Sequence, residues 1–355
     1  MEFKPLKIGN LEASIPIIQG GMGVGVSLSK LAGAVAACGG IGTISAAHPG
    51  YDEPDFEQNP LEANLRALKR HVKEALKKAK NGLVAVNIMA AGNDYDELVK
   101  ASTDAGANLI ISGAGLPMSL PALCKGTATK IAPIVSSSKV SSLILKMWDK
   151  RHGTTADAVV FEGPDAGGHL GFKLDQIDSA RENFYDEIVK ILETIKPYEE
   201  KYEKSIPLIV AGGIFTGEDI AKVMKLGASG VQMGTRFVAT HECDAHENFK
   251  MAYVNATKED VGLVKSPVGL PGRGIRNRFA VEIETERKPV KKCYKCLQMC
   301  NPAEIPYCIS GSLLSSVRGE TKDALVFCGS NAYKIDKIVS VKELMDELVE
   351  GIKKA

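Results

Sequence analysis

The sequence predicts a single (β/α)8 TIM barrel, an α/β fold, followed by a cysteine-containing C-terminal extension. Eight short apolar runs recur along the chain, a segment with helical spacing follows each run, and several of the runs end in glycine-rich turns. The runs are continuous rather than alternating, as expected for parallel strands that are covered on both faces. Eight consecutive units without a reversal signal favour closure into a barrel, with an open doubly wound sheet as the alternative.

The predicted elements alternate strictly from strand to helix. The strands cover 15–19, 41–45, 83–89, 108–112, 130–135, 157–162, 207–213 and 230–234. The helices cover 28–38, 60–79, 95–105, 117–124, 138–150, 181–203, 217–226 and 243–256. Ser27 or Ser29 precedes the first helix and TGED at 216–219 begins the seventh, and both segments are expected to cap a helix N-terminus.

The alternation ends after residue 256. Residues 257–330 are rich in Gly, Pro, Lys and Cys, and only 340–353 again has helical spacing. We therefore expect residues 1–256 to form the barrel. Residues 257–355 are expected to form an extension that packs on the barrel and ends in a helix.

Charge and hydropathy exclude several classes of partner. The chain has 44 basic and 43 acidic residues, so no charge bias points to nucleic acid or to an anionic membrane. It contains no apolar run of membrane-spanning length, and the N-terminal segment lacks the charged and apolar regions of a signal peptide. We expect a cytoplasmic protein with a small-molecule substrate and no nucleic acid or membrane partner. The oligomeric state stays open, with a homodimer as the candidate assembly.

The turns after the seventh and eighth strands have the composition of a phosphate site. Barrels frequently bind phosphate there through loop amides and a helix N-terminus. Gly212 and Gly213 offer amides after the seventh strand, and Gly234 and Thr235 offer an amide and a hydroxyl after the eighth. Each glycine pair alone is equally typical of a turn, and Arg236 would contact either phosphate or a carboxylate. Together these turns predict a phosphorylated cofactor.

His169 is the candidate catalytic residue. It lies in GPDAGGHLG at 163–171, which we expect to be a flexible loop at the barrel mouth that exposes the ring to ligand. The unperturbed pKa of imidazole is near neutrality, which suits proton transfer or a hydrogen bond to an anionic substrate. His48, after the second strand, is the second candidate. The other histidines are assigned to helix ends or flanks: His71, His152, His241 and His246.

These segments in combination resemble the nitronate monooxygenases, formerly called 2-nitropropane dioxygenases, and the related flavin-dependent enoyl-acyl carrier protein reductases. The resemblance covers roughly residues 5–280 and rests on PIIQGGMG, GGIGTIS, VNIM, EGPDAGGHLG, IVAGGI, VQMGTRF and SPVGLPGR. It implies an FMN-dependent oxidoreductase that converts alkyl nitronates and O2 into a carbonyl compound and nitrite. Two alternatives stay open. One is an FMN enzyme that uses NAD(P)H to reduce enoyl thioesters or quinones, and the other is a non-catalytic flavin or metal-binding sensor.

The resemblance also implies which residues hold the flavin at the barrel mouth. Gly20, Gly21 and Met22 would line the ring system, with Asn87 and Gln232 as polar contacts and Gly167 and Gly168 beside it. The phosphate would lie on 212–213 and 234–235, and His169 matches the active-site histidine. The chain has no GxGxxG fingerprint after a strand, so any NAD(P)H would be a co-substrate that binds transiently over the flavin.

Four cysteines crowd into the extension with the spacing C-x2-C-x3-C-x7-C: Cys293, Cys296, Cys300 and Cys308. Clustered thiolates can bind Zn²⁺ or an iron–sulfur cluster. Alternatively they are partly buried thiols in a loop that Pro302 and Pro306 stiffen. The other four cysteines are expected to be small buried hydrophobic residues: Cys38, Cys124, Cys243 and Cys328.

Overall fold

The computed structural model describes residues 1–355. The fold begins with a β-hairpin that the sequence patterns did not indicate. Strand β1 (Leu6–Ile8) pairs antiparallel with β2 (Leu11–Ala13). Leu6, Ile8 and Ala13 are buried and belong to the same apolar cluster as the residues inside the barrel. The hairpin therefore closes the end of the barrel at which the parallel strands begin.

Eight parallel strands form a closed barrel, which confirms the predicted fold. They are β3 (Ile17–Gln19), β4 (Ile41–Ser45), β5 (Leu83–Met89), β6 (Leu109–Gly113), β7 (Lys130–Val135), β8 (Val159–Glu162), β10 (Leu208–Ala211) and β11 (Gly230–Met233). Strand β9 (Gly168–His169) lies outside the barrel. The order around the barrel follows the chain from β3 to β8, and β10 and β11 complete the closure. Each barrel strand overlaps one predicted strand.

Ten α-helices lie within the first 256 residues. They are α1 (Ser29–Ala37), α2 (Pro60–Ala79), α3 (Tyr95–Asp104), α4 (Leu120–Leu123), α5 (Ser138–His152), α6 (Ile177–Glu182), α7 (Phe184–Tyr202), α8 (Gly217–Lys225), α9 (Thr235–Val238) and α10 (Glu247–Val254). Each of the eight predicted helices overlaps at least one of them, but the four-residue helix at 235–238 was not predicted. The structure divides the sixth predicted helix into α6 and α7. No helix of the protein has the length and apolar character needed to cross a lipid bilayer.

One of the two predicted helix caps is correct. Thr216 accepts a hydrogen bond from the amide of Asp219, and the Asp219 carboxylate accepts one from the amide of Thr216. Neither Ser27 nor Ser29 caps α1. The carboxylate of Asp244 accepts hydrogen bonds there from the amides of Leu28, Lys30 and Leu31, at 2.8 to 3.2 Å. The free amides at this helix N-terminus are therefore bonded by a carboxylate that lies 216 residues farther along the chain than Leu28. The local sequence cannot reveal such a partner.

The expectation that only 340–353 is helical after residue 256 is wrong, since residues 257–330 also form helices and strands. They contain β12 (Val261–Val264), β13 (Gly272–Ile275), α11 (Arg278–Thr285) and α12 (Ile309–Val317). Strands β12, β13 and β9 form a small antiparallel sheet, in which Gly272 pairs with His169. These strands are short and glycine-rich, so the apolar pattern that identifies barrel strands is missing from them.

The terminal helix α13 (Val341–Lys354) occupies a position in the helical layer of the barrel. It packs against α8 and α1, which places it between the seventh and the first βα units. Its apolar face is fully buried in the main core, through Val341, Leu344, Met345, Leu348 and Ile352. The end of the chain thus completes the layer of helices around the strands, whereas the division at residue 256 stays a prediction.

Candidate active site

The C-terminal ends of the barrel strands bring the predicted cofactor residues from three strands together. A Cβ atom at Gly21 would lie 2.3 Å from the Cβ of Asn87, and one at Gly20 would lie 3.2 Å from the Cγ of Gln232. Glycine is therefore required at position 21, because a side chain would overlap Asn87. Met22 belongs to the same group, since its sulfur would lie 3.2 Å from a Cβ at Gly234.

Gln232, one of these residues, has a buried polar atom without a hydrogen-bond partner. Its side chain is buried, and its Oε1 atom has no hydrogen-bond donor in the protein. Asn87, by comparison, donates from Nδ2 to the carbonyl oxygen of Ile111 at 3.2 Å. Buried acceptors are rarely left without a donor, so the Gln232 amide is expected to meet an N–H or O–H group of a ligand.

The predicted phosphate turns are arranged as tight glycine turns. Gly212 and Gly213 have φ angles of +90° and +85°, and a Cβ at Gly212 would lie 2.6 Å from the carbonyl oxygen of Gly163. The Oγ1 of Thr235 accepts a hydrogen bond from the amide of Gly329 at 2.9 Å, and Asn331 donates to the carbonyl of Gly213 at 2.8 Å. The segment around Gly329 to Asn331 is thus a part of the site that the sequence patterns missed.

Arg236 does not reach the phosphate turns as an anion ligand. Its guanidinium donates to both carboxylate oxygens of Glu347 on α13 at 2.9 Å and to the carbonyl of Phe215 at 3.0 Å. Of the two partners left open for this residue, the carboxylate is the one observed. Arg236 joins α13 to the eighth strand end.

His169 lies in a short strand rather than in the flexible loop that the sequence predicts, and its exposure to a ligand stays a prediction. Its backbone is part of β9 and its side chain is half-buried, with the ring 5.0 Å from that of Phe327 in an edge contact. Nε2 lies 2.7 Å from the Oγ of Ser266, which precedes β13. Burial lowers the pKa of His169 to about 4. At neutral pH the ring is therefore an uncharged hydrogen-bonding group, and the argument from its unperturbed pKa does not hold.

Arg273 holds the loop that leads to His169. Its side chain is buried, and Nη1 donates to the carbonyl oxygens of Pro164 and Ala166, the latter at 2.9 Å. Within the same loop a Cβ at Gly167 would lie 2.5 Å from the carbonyl carbon of Cys328. The loop is thus enclosed by the extension. Arg273 belongs to the SPVGLPGR motif, but its side-chain partners are not apparent from the motif itself.

Glu162 is a functional candidate that the sequence reasoning missed. Val160 belongs to the barrel interior and Phe161 packs outward against Phe184, so alternation along β8 directs Glu162 into the mouth of the barrel. Burial alone raises the pKa of Glu162 to about 7. A carboxyl group at the inner end of a barrel strand, directly before the GGH loop, is the sequence signal that identifies it.

His48, the second candidate, is a buried structural residue. Its Nε2 lies 2.8 Å from the Oγ of Ser310, and its Nδ1 lies 3.3 Å from Nδ2 of Asn64. Burial lowers its pKa to about 4. His71 was assigned to a helix end, but it lies within α2, where it is buried and contacts Ser29. Neither ring has a place in the group of residues around Gln232.

The four cysteines of the extension are neighbours, but no three of them come close enough to bind one metal ion. Burial raises the pKa of Cys296; a hydrogen bond to Ser310 opposes that rise, and the thiols of Cys308 and Cys300 add to it. Burial likewise raises the pKa of Cys300, and the thiols of Cys293 and Cys308 add to the effect. Among the other four, Cys124, Cys243 and Cys328 are buried as predicted, and Cys38 is half-buried.

Comparisons with known proteins cover the barrel and the extension together. The family model described as nitronate monooxygenase matches residues 4–351. A probable nitronate monooxygenase of Staphylococcus aureus strain MSSA476 is 27% identical over an alignment of 324 positions, which covers 77% of this chain and 78% of the relative.

Two solved structures are similar over nearly the whole chain. FabK from Thermotoga maritima has a TM-score of 0.73 and 27% identity, over 96% of this chain and 94% of that chain. A nitroalkane oxidase from Streptomyces ansochromogenes has a TM-score of 0.71 and 21% identity, over 96% of both chains. The second similarity supports the fold alone.

Proposed function

This chain belongs to the nitronate monooxygenase family and is a flavin-dependent oxidoreductase, and from that premise we propose that it oxidises alkyl nitronates. The reaction converts the nitronate and O2 into a carbonyl compound and nitrite. The observation that carries the proposal is the uncharged His169 ring, which is held in place next to a glycine-lined mouth. The chain is thus an enzyme rather than a non-catalytic sensor.

We propose FMN as the flavin, because the residues at the barrel mouth can bind both its ring system and its single phosphate. The unpartnered Oε1 of Gln232 needs a donor, which a ring N–H of the flavin can supply. Gly20 and Gly21 keep open a surface beside Asn87 and Gln232 that side chains would otherwise fill. The turns at 212–213 and 234–235 would hold the single phosphate with amide and hydroxyl groups. Bound there, FMN supplies the redox chemistry.

Ser266 fixes the orientation of the His169 ring. The Oγ of Ser266 accepts a hydrogen bond from the amide of Val268 at 3.3 Å and lies 2.7 Å from Nε2 of His169. The proposed mechanism assigns the hydroxyl hydrogen of Ser266 to this contact, so that Nε2 accepts and Nδ1 carries the proton. The Nδ1–H group is then the donor for a nitro oxygen of the substrate. An uncharged donor can bind the nitronate without taking a proton from solvent.

Glu162 makes the charge of the mouth depend on pH. With a pKa of about 7 its carboxyl group is neutral in mildly acidic solution and negative in alkaline solution. The neutral form leaves the mouth open to an anion, whereas the carboxylate repels a nitronate. The predicted role of Glu162 is therefore to set the pH range in which the anionic substrate binds.

Turnover of ethylnitronate in air tests the proposed function. The purified protein, saturated with FMN and without any nicotinamide nucleotide, is expected to consume O2 and to release nitrite. A protein that binds FMN but releases no nitrite under these conditions would refute the nitronate reaction. The flavin absorption spectrum of the same sample shows separately whether the cofactor is bound.

A second candidate function is NAD(P)H-dependent reduction of an enoyl thioester or a quinone. The 27% identity to FabK over 96% of the chain supports it. In that reaction His169 would contact the carbonyl oxygen of the acceptor. Oxidation of NAD(P)H by an enoyl thioester in the absence of oxygen distinguishes the two candidates, because nitronate oxidation needs no nicotinamide.

A further inference from the structure

The cysteine segment of the extension lies against the mouth of the barrel. Residues 286–308 contain no helix, and their only β-contact is a single bridge from Leu297 to Gly92. The amide of Asn93 donates to the carbonyl of Cys296 at 3.3 Å, and that of Gln298 donates to the carbonyl of Ala91 at 3.1 Å. The loop that receives these bonds begins directly after β5, the strand that carries Asn87.

Two of the thiols each accept a hydrogen bond from one backbone amide, which suits a thiolate ligand. The amide of Lys295 donates to the sulfur of Cys293, and that of Gly311 donates to the sulfur of Cys308, both at 3.4 Å. Cys308 is also the N-cap residue of α12, a helix of nine residues. Donors and a helix N-terminus both stabilise a negative sulfur atom.

The charge of the segment suits an anionic metal centre. Residues 286–308 carry five basic side chains and two acidic ones, whereas the whole chain has a net charge of only +1. Lys292 pairs with Glu57, and Lys288 pairs with Glu282 and Glu286. Lys291 and Lys295 make no such pair. Thiolate-bound metal centres carry net negative charge, which unpaired lysines nearby would offset.

We propose that Cys293, Cys296, Cys300 and Cys308 bind a [4Fe–4S] cluster at the mouth of the barrel. Three closely spaced cysteines followed by a more distant one resemble the arrays that bind such clusters, whereas structural zinc sites mostly combine two separate pairs of ligands. The site lies on the same face of the barrel as the proposed flavin.

A single zinc ion would need the thiols closer together than the structure holds them. Zn–S bonds of about 2.3 Å draw four thiolates to within roughly 4 Å of one another. In the structure no three of these thiols approach one metal position, although each has thiol neighbours. A cubane cluster binds each thiolate at a different iron and so holds the sulfur atoms farther apart.

The test is to purify the full chain without oxygen and to measure iron, acid-labile sulfide, zinc and flavin in one sample. We expect about four iron and four sulfide ions per chain, and after reduction with dithionite an electron paramagnetic resonance signal that the flavin does not account for. Cys293→Ser, Cys296→Ser, Cys300→Ser and Cys308→Ser should each lose most of the iron and keep the flavin. Cys38→Ser, at the end of α1, is the control and should keep both.

Two results would overturn the cluster. One zinc ion per chain without sulfide would show a mononuclear thiolate site, and an absence of both metals after anaerobic reconstitution with iron and sulfide would show unliganded thiols. The iron and sulfide content of the unmodified protein decides the question even if a serine variant fails to fold. Flavin content is measured separately, so failure of this proposal leaves the flavin assignment untouched.

Discussion

At the scale of single residues, the central one is His169, whose role follows from its surroundings. The ring is half-buried against Phe327 and bonded to Ser266, so it is neutral and fixed at physiological pH. The sequence singled out this histidine as a candidate, and its catalytic role stays a prediction, but the sequence did not reveal that burial keeps the ring uncharged. The residues that partly bury His169 lie more than ninety positions farther along the chain, in the extension. The GPDAGGHLG motif carries no information about them.

His169→Ala is expected to keep the flavin and to slow nitronate turnover on the order of 10²-fold. The loss reflects the missing donor to the nitro oxygen, so the maximal rate should fall more than the flavin content. His152→Ala, at the end of α5, is the matched control and should retain its rate. Stopped-flow reduction of the flavin measures the effect. Equal rates for the two variants would remove His169 from the mechanism.

Glu162→Gln is expected to change the pH dependence of substrate binding. In the unmodified protein the carboxyl group ionises as pH rises through about 7. KM for a nitronate should therefore rise on the order of tenfold from pH 6 to pH 8.5 as the like charges repel. The variant should keep the low KM throughout, whereas Glu193→Gln on the exposed face of α7 should behave like the unmodified protein. A pH profile that Glu162→Gln leaves unchanged would contradict this assignment.

At the scale of elements, periodicity predicted the barrel well and the extension poorly. Barrel strands such as β5 and β6 are continuous apolar runs because they are covered on both faces. Strand β13 reads GRGI and pairs with a two-residue strand, so no run marks it. Its pairing with β9 depends on a contact between residues that are about a hundred positions apart. Local patterns carry no information on such a contact.

Arg273→Met tests whether β13 supports the His169 loop. Removing a buried guanidinium leaves the carbonyls of Pro164 and Ala166 without their donor, which should cost about 2–4 kcal/mol of unfolding free energy and weaken flavin retention. Arg276→Met removes only an exposed ion pair with Glu284 and should cost less than about 1 kcal/mol. Denaturant unfolding of the flavin-free proteins gives both values. Similar losses for the two variants would show that Arg273 does not hold the loop.

At the scale of the whole molecule, segments near both ends of the chain pack onto the barrel. The N-terminal hairpin covers one end of the strands, and α13 joins the helical layer between α8 and α1. The amphipathic spacing of the last helix was visible in the sequence, but its neighbours were not. An apolar stripe along a helix indicates that the helix packs against other parts of the protein. Which elements it contacts is determined by the fold as a whole.

Leu348→Ala measures how far the barrel depends on α13. This side chain is fully buried in the main core, so its truncation should cost about 2–5 kcal/mol. Leu174 is 66% exposed, and Leu174→Ala should change stability by less than about 0.5 kcal/mol. Thermal or denaturant unfolding compares the two. If Leu348→Ala were equally mild, α13 would be an appendage rather than a part of the barrel.

The measurement that tests the central claim most directly is anaerobic mixing of the FMN-loaded protein with ethylnitronate, without NAD(P)H, while the flavin absorbance is recorded. Nitronate oxidation predicts that the flavin band bleaches with the nitronate alone, and that admission of O2 restores the band and yields nitrite. A flavin band that resists the nitronate but bleaches with NAD(P)H would contradict the account and assign the chain to the reductases.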